Sequence, residues 1–106
     1  MGHFLLMTNI FVLAAPSLNR NALMAYLNAI PDLKLVFCGD SPERLFQAFT
    51  KVEDGIVIID LNGDQAVLKQ VIDEIKLINP QLKRVVISEG RKTQSQIKTW
   101  GADEVL

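Results

Sequence analysis

The sequence predicts an α/β domain built as a three-layer, doubly wound parallel sheet. Short continuous apolar runs alternate along the chain with segments whose apolar residues have helical spacing. Continuous runs are typical of strands that are covered on both faces. The predicted order is β-α-β-α-β-α-β-α-β, and this alternation favours right-handed crossovers with helices on both faces of the sheet. The length of 106 residues fits one small domain with a single core.

The first strand is predicted at residues 10–14, IFVLA. Ser17 is the predicted N-cap of the helix that follows, and Pro31 ends that helix. We expect one helical stripe to face the sheet, with Met24 near it in the core. The stripe consists of Ala22, Leu23, Tyr26, Leu27 and Ile30.

A second strand is predicted at residues 34–38, KLVFC, followed by a helix with Ser41 as N-cap and Pro42 at its first position. Cys38 is interpreted as a small apolar residue at a strand end. The buried stripe of this helix is Leu45, Phe46 and Phe49. The clearest strand follows at residues 55–60, GIVIID, and it ends on Asp60.

The third helix is predicted from Asp64 to the NP pair at residues 79–80. Its inward residues are Val67, Leu68, Val71, Ile72, Ile75 and Ile78. Residues 84–88, RVVIS, predict the fourth strand. A shorter helix follows with Ile97 and Trp100 on one side and Gly101 as its cap. The last residues, DEVL, begin a fifth strand.

Composition excludes several classes of function. The net charge of −1 gives no electrostatic case for direct nucleic-acid contact or for an anionic membrane. A single cysteine fits a reducing, cytoplasmic compartment. No apolar run approaches the ~20 residues of a membrane span. The basic residues Lys83, Arg84, Arg91 and Lys92 are predicted to form a solvated rim. Trp100 and Tyr26 are expected to be core or half-buried packing residues.

The amino-terminal residues are predicted to lie outside the domain. Residues 1–8 are expected to be an extension and residues 9–106 the folded domain. Met7 is a possible native start, which would make residues 1–6 an upstream or vector-derived addition. His3, the single histidine, lies in that segment, and no second histidine or cysteine is near enough in sequence to share a metal with it.

The candidate site lies at the carboxyl ends of the strands, where open α/β sheets bind ligands. No glycine-rich dinucleotide loop and no P-loop motif is present in the sequence. Asp60 is the strongest candidate, either as a nucleophile or ligand, or as a residue that caps the following loop. The residues that close the strands are Ala14, Ala15, Gly39, Asp40, Asp60, Ser88 and Glu89.

Residues 9–106 resemble the receiver domain of bacterial response regulators. PSLNRNALMAYLNAIPDLKLV is similar to the first helix and second strand of that family, and VIIDLNG to its phosphoacceptor strand and loop. INPQLKRVVIS looks like the approach to its switch hydroxyl, and GADEVL like its last strand. The resemblance implies a flavodoxin-like topology with strand order 2-1-3-4-5.

The resemblance also implies roles for particular residues. Asp60 matches the aspartate that accepts the phosphoryl group, and Ser88 matches the switch hydroxyl. Asn62 matches the position whose backbone carbonyl binds Mg²⁺. The family's pair of metal-binding acids is replaced by Ala14 and Ala15, which leaves Asp60 and Asn62 as a vestigial metal site.

Other positions depart from the family pattern. The loop after Asp60 lacks the usual proline and has Asp64 near that place, and Val105 stands where the switching aromatic would be. The family's lysine and its fifth helix would lie beyond Leu106. With two anionic ligands gone, Mg²⁺ binding is expected to be weak or absent. Glu89 or Asp40 is a possible substitute ligand.

These matches and departures predict a degenerate receiver without catalytic activity. It would act as a signalling or regulatory module through a protein partner, its own output domain or a second copy of the chain. Without the fifth helix, part of one sheet face is expected to stay apolar and open. Two alternatives are a receiver that is still weakly phosphorylated on Asp60 and an unrelated flavodoxin-like small-ligand domain.

Overall fold

The computed structural model describes residues 7–61, 65–88 and 91–106, with the backbone alone for residues 51 and 91–93. Within them, five strands form one parallel sheet in the order β2-β1-β3-β4-β5. The predicted fold class and strand order are therefore confirmed. The strands are β1 (Thr8–Ala14), β2 (Leu33–Gly39), β3 (Ile56–Asp60), β4 (Lys83–Val86) and β5 (Glu104–Val105). The helices are α1 (Leu18–Asn28), α2 (Pro42–Ala48), α3 (Gln65–Ile78) and α4 (Arg91–Trp100).

Local signals place most helix ends correctly. Ser17 caps α1 by accepting from the backbone N–H of Arg20, and Ser41 caps α2, whose first residue is Pro42. Gly101 has a φ of +118° after α4. There its N–H donates to Lys98 O and the next N–H to Ile97 O, which is a Schellman ending. A short 3-10 turn, Phe49–Lys51, follows α2.

The sheet separates two apolar clusters. On one face, α1 covers β1 through Leu27, which packs with Ile10, Val12 and Ala14. On the other face, α2, α3 and α4 cover the larger cluster, in which Phe11 and Phe49 make an edge-to-face contact at 5.0 Å. This arrangement gives the three predicted layers and fixes which strand residues point toward α1.

The face shared with α1 is only partly covered. Ile10, Val12 and Ala14 of β1 lie on it and are at most 2% exposed, whereas residues of β3 and β4 on the same face are partly exposed. We call these residues the open sheet face: Ile56, Ile58, Val85 and Ile87. The expectation of an incompletely covered apolar face therefore agrees with the described residues.

Four predicted side-chain positions are wrong. Ala22 is exposed, because it lies about 140° around α1 from the inward-facing Leu27. Tyr26 is 68% exposed, because it lies about 100° around α1 from the inward-facing Leu27. Ile78 is 45% exposed at the last residue of α3, at the margin of its buried stripe. Arg84 is not part of a solvated rim, since its side chain is 12% exposed and donates to Gly101 O and Leu82 O.

Other predicted positions agree with the structure. Lys83 is exposed as the rim predicts, and Trp100 is half-buried against the larger cluster. Met24 and Cys38 pack against the smaller cluster between β1 and α1. The side chains of Arg91 and Lys92 lie outside the described residues. Thr8 belongs to β1 and pairs with Leu33, whereas residues 1–6, including His3, are outside the description. The division at residues 8 and 9 stays a prediction.

The pairing of β1 with β2 is irregular. Ile10 pairs with Leu35, but the next residue, Phe11, pairs with Phe37, so that Val36 is an additional residue in β2. This is the geometry of a β-bulge. As a result Val36 and Phe37 both pack toward the larger cluster, and Cys38 points toward α1.

Candidate functional site

The candidate site is the carboxyl edge of the sheet around β1 and β3. Ala14 ends β1 and is the direct pairing partner of Asp60, which ends β3. Ala15 follows Ala14 and is exposed. Two adjacent strands therefore present the methyl groups of Ala14 and Ala15 and the carboxylate of Asp60 at this edge.

Alternation along β3 directs Asp60 toward the face that α1 covers. Val57 and Ile59 point into the larger cluster, while Ile56 and Ile58 pack beside α1. Asp60 follows Ile58 by two residues and therefore points to the same side of the sheet as Ile56 and Ile58. Its Oδ1 is shielded from solvent and has no hydrogen-bond partner within the described residues. A shielded carboxylate oxygen without a donor is unfavourable, which is an argument that this position serves a purpose other than stability.

Arg20 of α1 reaches the same edge. The Ser17 cap fixes Arg20 at the third position of the helix, and Nη1 of Arg20 donates to the carbonyl oxygen of Ala14 at 3.0 Å. The contact is partly buried. It places a permanent positive charge at the end of β1, beside the strand that carries Asp60.

Ser88 lies at the same edge of the sheet. The N–H of Ile87 donates to Ile59 O at 2.9 Å, which continues the β3–β4 pairing beyond Val86. The N–H of Ser88 donates to Leu106 O at 3.0 Å, so the next residue is held by the end of the chain beyond β5. Ala14, Asp60 and Ser88 thus all lie at the carboxyl edge of the sheet. Asn62, Asp64 and Glu89 lie outside the described residues.

The described residues do not fit a magnesium site. Ala14 and Ala15 offer no side-chain oxygen, and the carbonyl of Ala14 is engaged by Arg20. No group of three or more His, Cys, Asp or Glu residues is close enough for a metal within the described ranges. Asp40, a suggested substitute ligand, follows β2, which is separated from β3 by β1. Mg²⁺ needs several oxygen ligands in a tight octahedral arrangement, and one carboxylate is a poor start.

A second depression lies at the end of β2. This cleft of about 530 Å³ is open to solvent, and Asp40, Ser41 and Arg44 contribute its polar side chains. Phe37, Cys38 and Gly39 complete its lining. Sequence reasoning identified Gly39 and Asp40 as strand-end residues but gave Arg44 no role.

Sequence reasoning also missed Arg20. Its position three residues after a predicted N-cap carries no motif, and its reach back to Ala14 depends on how α1 lies across β1. The only available signal was that Arg20 is the single charged residue between Asn9 and Pro31. An isolated charge in an apolar stretch next to a strand end is a reason to ask what it contacts.

The comparisons with known proteins identify the fold. No protein-family model and no curated protein matches the sequence. A CpaE protein assigned to pilus assembly, from Burkholderia thailandensis, is 18% identical with a TM-score of 0.73, covering 94% of this chain and 84% of that one. A pilus assembly-related protein from Burkholderia pseudomallei is 21% identical with a TM-score of 0.71, covering 100% and 81%.

A third similar structure comes from the complex of the P1 domain of CheA3 with CheY6 from R. sphaeroides. It is 15% identical with a TM-score of 0.73, and the match covers 93% of this chain and 80% of that chain. At these identities the likeness shows the fold alone. The chain has the flavodoxin-like topology of receiver-type domains, as the sequence resemblance implied. Within the described residues, no helix is long and apolar enough to cross a membrane.

Proposed function

We propose that this chain is a receiver-like signalling module of the two-component type that acts without catalysis and without a bound metal. The observation that carries the proposal is the pairing of Ala14 with Asp60 at the carboxyl edge of a receiver-type sheet. A carboxylate remains at the phosphoacceptor position, but the residues beside it are methyl groups and a guanidinium.

The chemistry of phosphoryl transfer supports an inactive site. Charge accumulates on the oxygens of the transferred group and has to be offset by cations held in position. Asp60 alone offers a divalent ion one carboxylate, and Arg20 already adds positive charge at the end of β1. Asp60 is therefore retained beside a fixed positive charge and without a metal ion, and the module has one resting conformation.

A module of this kind acts by contact with protein. Its candidate surface is the open sheet face. The apolar side chains Leu18 and Tyr26 of α1 are also exposed, by 86% and 68%. Apolar patches of this kind on a small domain are typical interaction sites. The proposed partners are the protein's own output domain, another signalling protein or a second copy of the chain, in the cytoplasm. The net charge of −1 argues against direct contact with nucleic acid.

The proposal is tested by exposing the protein to a small phosphodonor with Mg²⁺, and separately to beryllofluoride with Mg²⁺. Amide spectra and intact mass are recorded, with Asp60→Asn as the matched control. We expect neither the wild-type spectrum nor that of the control to change when the reagents are added, and we expect no mass increase. Amide shifts at Asp60 and Ser88, or a phosphoryl adduct that Asp60→Asn abolishes, would contradict the proposal.

That contrary result would favour a second candidate, a weakly phosphorylated receiver. One observation favours it: Oδ1 of Asp60 makes no hydrogen bond within the described residues, so no described donor occupies the oxygen that would react. A third candidate, a small-ligand domain, would use the cleft at the end of β2. It requires saturable ligand binding that Arg44→Ala weakens and Asp60→Asn leaves intact.

A further inference from the structure

We infer that Arg20 is the crevice's own counter-charge for Asp60 and takes the place beside that carboxylate that a divalent cation would need. The inference rests on the proposed function, because it assumes a crevice that works without metal. It extends that function by naming the residue that replaces the metal and the way in which it is held.

The position of Arg20 is fixed at two points. Its backbone N–H donates to Ser17 Oγ at 3.0 Å, which anchors it in the first turn of α1. Its Nη1 donates to Ala14 O at 3.0 Å, which anchors the guanidinium at the end of β1. A side chain tied at both ends loses little further freedom, so its charge stays in one place.

Asp60 lies on the strand next to this anchor and on the same face. Ala14 pairs with Asp60 across the β1–β3 ladder, and alternation along β3 directs the carboxylate toward α1. No ion pair or hydrogen bond joins the two side chains in the described structure, so the attraction acts through space. A partly buried edge screens such an attraction less than open water does.

The other described cations lie elsewhere. Lys34 is at the amino end of β2, and Lys98 is on α4, which covers the other face. Arg44 lines the cleft at the end of β2, on the far side of β1 from Asp60. Lys83 and Arg84 are at the amino end of β4, the opposite edge of the sheet. Lys69 and Lys76 are on α3, which covers the other face. Among the described side chains, Arg20 is therefore the cation that shares both the edge and the face of Asp60.

The same anchor works against a metal ion. Ala14 and Ala15 offer no side-chain oxygen beside Asp60, and the guanidinium is bound to Ala14 O on the strand that pairs with Asp60. Its positive charge at this strand end also repels a second cation. Restoring an acid at this edge should therefore restore metal binding only weakly while Arg20 is present.

The experiment restores one acid and then removes the arginine. Ala15→Asp is chosen because Ala15 is exposed, whereas Ala14 is 2% exposed and a buried acid there threatens folding. MgCl₂ is titrated into Ala15→Asp, Ala15→Asp/Arg20→Ala and the matched control Ala15→Asp/Arg44→Ala, with amide shifts of Asp60 and Ser88 as the readout. We expect Mg²⁺ affinity to rise at least about tenfold on removal of Arg20 and to stay unchanged on removal of Arg44.

Equal affinities with and without Arg20 would overturn the inference and leave the proposed function standing. Tight Mg²⁺ binding by the wild-type protein would instead contradict the proposed function. A second measurement needs no metal: urea unfolding of wild type, Asp60→Asn, Arg20→Ala and the double variant. In the Arg20→Ala background the Asp60 carboxylate has no counter-charge, so its removal by Asp60→Asn should stabilise the protein more than it does in wild type. We expect Asp60→Asn to lower the unfolding constant about fivefold more in that background. Strict additivity would also overturn the inference.

Discussion

Gly55 controls how the chain enters β3. Its φ is +150°, a backbone conformation that side chains other than glycine rarely adopt. A Cβ at this position would lie 2.5 Å from the carbonyl oxygen of Asn9 in β1. Because that neighbour is backbone within the central strand, it cannot move aside cheaply. The close approach of Gly55 to β1 sets the start of the ladder that ends at Ala14 and Asp60.

We therefore expect Gly55→Ala to lower the free energy of unfolding by about 2–4 kcal/mol. Gly39→Ala is the matched control, because its Cβ would meet the ring edge of Phe37 at 3.0 Å, and Gly39 does not have a positive φ. Urea denaturation followed by Trp100 fluorescence measures both variants. Equal losses in the two variants would show that the backbone conformation at Gly55 is not the reason.

Residue-level predictions from the sequence succeed where the cause is local. Ser17, Ser41 and Pro42 act on the backbone within three or four residues, so their roles follow from spacing. Tyr26 and Arg20 depend on how α1 lies against the sheet. Tyr26 was expected inside and is 68% exposed, while the contact of Arg20 with Ala14 had no sequence motif. The interpretation of Asp60 as a phosphoacceptor position is untested and stays a prediction.

At the scale of elements, Arg84 joins β4 to the end of α4 and the start of β5. Its Nε donates to Gly101 O at 2.7 Å, and its backbone N–H donates to Asp103 Oδ2 at 2.7 Å. The guanidinium also lies 3.8 Å from the same Asp103 carboxylate. Since β5 has only two residues, Glu104–Val105, these contacts supply much of its attachment.

Arg84→Gln is expected to cost about 1–3 kcal/mol of unfolding free energy, because two partly buried hydrogen bonds to carbonyl groups and an ion pair are lost. The neighbouring Lys83→Gln is the control and should change stability by less than about 0.5 kcal/mol, since Lys83 is exposed. Hydrogen exchange locates the effect. The amide of Leu106, which donates to Val86 O, should exchange faster in Arg84→Gln. Unchanged protection there would contradict the proposed attachment of β5.

The elements themselves were predictable because each carries its own periodicity. Continuous apolar runs identified the strands, and the observed β1 and β2 extend the predicted runs by a few residues only. The basic residues around β4 were grouped by composition, which cannot separate Lys83 from Arg84. The difference arises because neighbouring residues of a strand point to opposite faces, so Lys83 and Arg84 have different surroundings. The side chain of Arg84 donates to the carbonyl oxygen of Gly101, in the turn after α4.

At the scale of the whole molecule, coverage of the sheet is unequal. Helix α3 covers one face with four buried residues, Leu68, Val71, Ile72 and Ile75. On the other face, α1 is the helix within the described residues. The open sheet face is therefore the apolar surface at which binding of a partner would be most favourable. Burial of such a surface contributes roughly 25 cal/mol per Å² of apolar area.

We expect the chain to self-associate through this face at high micromolar concentration. Sedimentation equilibrium should show a weight-average mass that rises with concentration, and Val85→Thr, which keeps the side-chain volume, should weaken the association. Leu77→Ala is the control, because Leu77 is 79% exposed on α3, on the opposite side of the sheet. A strictly monomeric profile across this range would count against a second copy as the partner.

The additional residue in β2 affects how readily the protein aggregates at high concentration. β2 lies at the border of the sheet, and most of its seven residues, LKLVFCG, are apolar. A straight edge strand of this composition offers unpaired backbone groups to strands of other protein molecules, and such pairing leads to fibrils. The bulge at Val36 interrupts the even row of backbone donors and acceptors, and Lys34 adds an outward charge. Deleting Val36 would straighten that border and make the protein prone to aggregate.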